Sequence, residues 1–212
     1  MELQHVNVKL YVKKPEAVDL EALIPVFHEW IQNQSRGELL LDIADYRHVR
    51  SGPGIVLIGH EGNYSLDNSG NRLGVRYNRK SVLDGSNQER LVQATQAALA
   101  ACLRLEAEPS LDGRIQFNGR EMEVFINDRL LAPNSDVTRR IALFEFQTFF
   151  SNLFRGCDFG LTYPQDPHSL FGVRATTCQS FATDALLENL RYITPVRGPR
   201  SGSGEFTYAC QS

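Results

Sequence analysis

Two hydrophobic periods alternate along this chain, and their order limits the folds open to it. Val6–Lys13 (VNVKLYVK) repeats at every second residue, which places Val6, Val8, Leu10 and Val12 on one side of an extended strand. The next apolar residues, Leu20, Leu23, Ile24, Phe27, Trp30 and Ile31, recur at helical spacing and predict a helix over Asp19–Gln34 with Asp19 as its N-cap. Pro25 has no amide hydrogen to donate and suits only a first turn, so that helix starts nearer Leu23 or bends there.

Three further strands are expected at Glu38–Ala44, Gly54–His60 and Arg72–Arg79. The run Ile55-Val56-Leu57-Ile58 is apolar on both sides, as a strand in a sheet interior must be. Ser51-Gly52-Pro53-Gly54 and Asp67–Asn71 are turn sequences, and the short link Arg47–Pro53 makes the first two of these strands an antiparallel hairpin. A second helix is predicted over Asn87–Ala107, capped by Ser86 or Asn87, with alanines at 97, 98, 100 and 101 that permit close approach to a sheet. Asn118-Gly119 predicts a hairpin between Arg114–Phe117 and Glu121–Asn127. The third helix, Asp136–Phe154, carries Phe144, Phe146, Phe149, Phe150 and Phe154 almost all round, so it is either core throughout or leaves an edge for a dimer. Strands at Phe159–Tyr163 and Phe171–Thr177 and a helix at Ser180–Leu190 complete the order.

The pattern is that of an α+β fold: a mostly antiparallel sheet covered by four helices, in one domain over residues 1–196. The stretches 1–110 and 111–196 each run strand, helix, strands, helix, which raises the possibility of two related halves with a pocket where they meet. Residues 197–212 (RGPRSGSGEFTYACQS) are expected to form a flexible tail.

Charge and cysteine usage exclude several classes of function. The net charge of −3 lacks the basic surplus of a nucleic-acid binder. No stretch approaches the roughly 18 apolar residues that span a bilayer, and no basic start leads into an apolar run, so a cytoplasmic protein without membrane contact is expected. Cys102, Cys157, Cys178 and Cys210 form no C-x-x-C pair, which argues against a zinc knuckle and for free thiols. There is no Walker loop, dinucleotide fingerprint or nucleophile elbow, and no cofactor or metal is expected.

The chemistry-bearing residues concentrate in Asp42–Lys80. His60-Glu61, at a strand end, is a candidate acid/base pair. Arg72 and Arg76 lie on one side of a strand, about 13 Å apart, with Gly74 between them leaving room for a ligand, and a guanidinium fork suits carboxylate or phosphate. Asp45, His48 and Tyr64 join Arg72 and Arg76 as candidate ligand-binding residues. The antiparallel hairpin, however, separates Asp45 from His60.

The run Ala44-Asp45-Tyr46-Arg47-His48-Val49, with Gly52-Pro53-Gly54-Ile55-Val56-Leu57-Ile58-Gly59-His60-Glu61, resembles uncharacterised bacterial proteins over roughly residues 1–80. That resemblance implies a bacterial, cytosolic protein and brings no activity or catalytic residue with it. The expectation is therefore a non-catalytic binding or assembly protein, a homodimer that meets a small anionic ligand or a protein partner. The rival is a small hydrolase or isomerase using His60 and Glu61, with Arg76 as electrophilic aid.

Overall fold

A computed structural model describes residues 1–34 and 38–193; the expected tail lies outside them. The elements in order are β1 (Val6–Val12), α1 (Leu23–Gln32), β2 (Leu40–Tyr46), β3 (Gly54–Gly59), β4 (Gly62–Asp67), β5 (Gly74–Arg79), α2 (Asn87–Glu106), β6 (Phe117–Ile126), α3 (Asp136–Leu153), β7 (Phe159–Thr162), β8 (Gly172–Thr177) and α4 (Thr183–Leu190). The strands form one eight-stranded sheet in the order β2-β3-β4-β5-β1-β6-β8-β7, and every pairing is antiparallel. The α+β architecture read from the two hydrophobic periods is the one observed.

In both stretches of the chain the closing strand lies beside the opening one: β5 next to β1, and β8 next to β6. β1 and β6 then pair at the middle of the sheet, so the two paths meet along a single seam. Every residue of β1 is buried, including those on its polar side.

One face of the sheet holds the apolar core. Val8, Leu10, Leu57, Leu66, Val75, Val124 and Val173 point into it and cluster with Phe27 and Trp30 of α1, Ala94 and Ala98 of α2, and Leu186 of α4. The alanines let α2 lie close over β1 and β5, and α3 joins the layer through Phe146 against Phe171 and Phe150 against Phe159. Local signals set the helix ends. Pro25 occupies the first turn of α1, while Ser86 and Glu89 form a reciprocal capping box at the start of α2. Asp19 instead accepts the Glu21 amide in a turn ahead of α1, so it does not cap the helix. No helix among the described residues is long and apolar enough to cross a membrane.

Three points of the sequence reading are corrected or decided. Asn118-Gly119 is no hairpin: β6 continues through it, with a register shift against β1 between Leu10 and Val12. Gly119 is needed because a Cβ there would overlap the carbonyl of Phe181, a close crossing rather than a turn. Asn63–Asp67, unassigned between the strands expected at Gly54–His60 and Arg72–Arg79, forms β4 between β3 and β5. In α3, Phe146, Phe149 and Phe150 are buried, but Phe144 is 75% exposed and continues an outer apolar stripe with Val137 and Ile141. At the sheet edge, β2 carries a register shift between Leu40 and Asp42, and the opposite edge strand, β7, has four residues.

Candidate functional site

The second face of the sheet is polar at its middle and, among the described residues, carries no helix. One register row crosses all eight strands on it: Ala44, Val56, Ser65, Arg76, Lys9, Glu123, Arg174 and Thr162. Charges of both signs meet near the β1/β6 seam because β1 places Asn7, Lys9 and Tyr11 opposite its core-facing valines and leucine.

Lys9 is the most deeply placed cation of this row. Its ammonium donates to Asp67 Oδ1 at 2.5 Å and to the Ser69 carbonyl at 3.2 Å, and Asp67 itself is 1% exposed. The Ser69 hydroxyl donates to the same carboxylate oxygen. Gly74 makes this geometry possible, since a Cβ there would press on the Leu10 carbonyl and lie 3.2 Å from Cε of Lys9. The space at Gly74 is thus taken by the lysine stem and not left for a ligand. Burial pulls the Lys9 pKa down against the attraction of Asp67. Burial also opposes ionisation of Asp67, but Lys9, the Ser69 hydroxyl and Arg76 outweigh it and hold the carboxyl below its usual range.

Three arginines surround the pair, and they are engaged to different degrees. Arg72 grips Glu121 with two bonds of 2.6 Å and stacks over Tyr11 at 3.6 Å. Arg174 donates twice to Glu123 Oε1, at 2.9 and 2.5 Å, and lies 3.2 Å from Glu121. Arg76 makes a single 3.3 Å contact with Asp67 Oδ2 and rests over the ring of Phe125 at 4.5 Å. Its guanidinium therefore keeps most of its donors uncommitted among the described residues.

Arg76 also lines two hollows on this face. The larger, of about 800 Å³, is bounded by Arg76, Glu123, Phe125, Arg174, Tyr163 and Leu170, among others. Gly172 clears its floor: a Cβ at that position would collide with Phe125 and with the Val124 carbonyl at 2.7 Å. Its wall, Tyr163–Leu170, hangs from the start of α3. Arg139 donates to the Pro164 carbonyl at 2.6 Å, and Asn134 to the Asp166 carbonyl at 2.8 Å. The smaller hollow, of about 350 Å³, lies toward β2 between Tyr46, Val56, Asn63, Ser65 and Arg76.

The residues singled out from sequence are scattered relative to these hollows. Arg72 and Arg76 do share the open face, as their spacing predicts. Tyr64 lies on the helix side, donating to Glu38 at 2.9 Å and packed on Tyr77. Asp45 is exposed at the β2 edge, clamped by Arg47, whose hydrogen bonds lower its pKa to about 2. His48 is exposed in the following turn. His60 is exposed past the end of β3 and makes no ion pair among the described residues. Glu61 pairs with Arg79 at 2.7 Å. His60, Glu61 and Arg76 are not brought together, and neither hollow includes His60 or Glu61. Among the described residues no three His, Cys, Asp or Glu side chains are grouped so as to hold a metal ion.

Sequence reasoning missed Lys9, Glu121, Glu123, Phe125 and Arg174. The signal for Lys9 was present: a lysine on the off-beat of a strand central enough to be buried on both sides needs a buried partner. Comparison with protein-family models, curated proteins and solved structures gives no match, so the functional argument rests on the site.

Proposed function

We propose that this chain is a binding protein whose open sheet face takes a small anionic ligand at Arg76. One observation carries the reading. Of the three arginines on the face, Arg76 alone meets its carboxylate through one long contact, and it borders both hollows. A guanidinium held in this way by an aromatic ring is already oriented for carboxylate or phosphate. The hydrolase or isomerase alternative required His60 and Glu61 to converge with Arg76, and their separation favours binding over that chemistry.

The test is thermal melting with inorganic phosphate, citrate and 3-phenylpropionate as probes. At least one is expected to raise the melting temperature of the wild-type chain, because binding only to the folded state adds stability by mass action. Arg76→Gln is expected to remain folded and to lose the shift. No shift with any probe, or an equal shift in Arg76→Gln, removes the proposal.

A further inference from the structure

We infer that the preferred ligand is a carboxylate bearing a single negative charge and an apolar or aromatic body, seated in the larger hollow with its carboxylate on Arg76. The inference rests on the reading that Arg76 receives the anion, and it adds the ligand's charge and shape.

Charge on the face sets the first half. Four basic side chains (Lys9, Arg72, Arg76 and Arg174) are linked to three carboxylates (Asp67, Glu121 and Glu123). Lys9 and Asp67 satisfy each other in the interior, and Arg72 and Arg174 are held by Glu121 and Glu123. One positive charge is left over, and Arg76 is the residue with donors to spare. A single carboxylate balances it. A second anionic group would find no further uncommitted cation in this network and would have to displace Glu121 or Glu123 from Arg72 or Arg174.

The walls set the second half. From the guanidinium the hollow extends over Phe125 to Leu170, Pro164 and Tyr163, so the space beyond the carboxylate is largely aromatic and aliphatic. Its volume of about 800 Å³ exceeds what a bare anion needs and suits a ligand with a body. The smaller hollow also has apolar walls, in Tyr46, Pro53, Val56 and Ile58, but at about 350 Å³ it holds less of a body than the larger one.

Isothermal titration of the full chain with four probes tests this: 3-phenylpropionate, phenylsuccinate as the two-carboxylate counterpart, acetate as the carboxylate without a body, and inorganic phosphate. 3-Phenylpropionate is expected to bind at least about tenfold more tightly than each of the others, the scale of one charged hydrogen bond or one buried ring edge. Phe125→Ala should reduce the preference over acetate. Glu123→Gln, which removes a carboxylate and frees Arg174, should shift preference toward phenylsuccinate. Thermal melts of both variants confirm that they fold. If phenylsuccinate or phosphate binds the wild type as tightly as 3-phenylpropionate, with Arg76→Gln abolishing it, the single-charge inference falls and the anion site stands. If no probe binds, or binding is indifferent to Arg76→Gln, both fall.

Discussion

Leu10 and Lys9 are neighbours in the same central strand and equally hidden from water, at 1% and 2% exposure, yet they are stabilised in opposite ways. Leu10 sits in an apolar layer that asks only for volume. Lys9 sits in a network that asks for a particular partner in a particular place, because a buried charge without one is costly. The two faces of the sheet differ accordingly. The helix-covered face is mainly a packing problem and the open face a pairing problem, in which Arg76 is held to its carboxylate by one long contact.

Putting the same residue at both positions gives the sharpest way to break this contrast. Lys9→Met is expected to cost about 3–5 kcal/mol in urea unfolding, since it strands Asp67 in the interior. Leu10→Met is expected to cost less than about 1.5 kcal/mol. Adding Asp67→Leu to Lys9→Met should recover much of the loss; a double variant no better than the single one would mean that the network's pairing is not what Lys9 contributes.

A comparable effect is expected where α3 turns its two sides. Phe146→Ala should destabilise by about 3–5 kcal/mol and Phe144→Ala by no more than about 0.5 kcal/mol, measured by the same unfolding curves. If the chain forms the homodimer expected from its sequence, the outer stripe of Val137, Ile141 and Phe144 is an apolar face it offers for closure. Phe144→Glu is then expected to lower the sedimentation coefficient at micromolar concentration, and a wild-type monomer counts against that assembly.

Acid separates the two faces more gently. Asp67 is held below its ordinary pKa by Lys9, the Ser69 hydroxyl and Arg76 against the opposing effect of burial, and Glu121 is lowered by its bonds from Arg72. A folded pKa below the unfolded value stabilises the fold above the unfolded value, near 4 for a carboxyl, and that stability is lost as pH falls through the lower folded value. The melting temperature should therefore drop between about pH 4 and the acid limit. The drop should be shallower in Asp67→Asn, although that variant starts from a lower melting temperature at pH 7; an unchanged slope would remove Asp67 from the explanation.

Much of the architecture was legible because it depends on periodicity. The off-beat and on-beat residues of Val6–Val12, the cap at Ser86 and the tolerance for Pro25 in a first turn are local facts, and the structure places them as read. The failures have nonlocal causes. Gly119 reads as a turn residue, but what demands it is the carbonyl of Phe181, distant in sequence. Asn63–Asp67 is too polar to read as a strand from its own residues; it is one because its polar side faces the charged network. The candidate site was found only in part for the same reason. Arg72 and Arg76 belong to a recognisable strand, whereas Glu121, Glu123 and Arg174 come from the far side of the seam and join them only through the order of strands.

The two ends of the sheet bear on how this protein behaves in company. Eight antiparallel strands that do not close leave a row of free amides and carbonyls at each border, an invitation to grow by adding another chain's strand. β2 declines it with a register shift beside Leu41 and with Asp42 and Asp45 along its length, and β7 by ending after four residues. A straightened β2, relieved of its bulge and its acids, is expected to make the same fold prone to fibre formation.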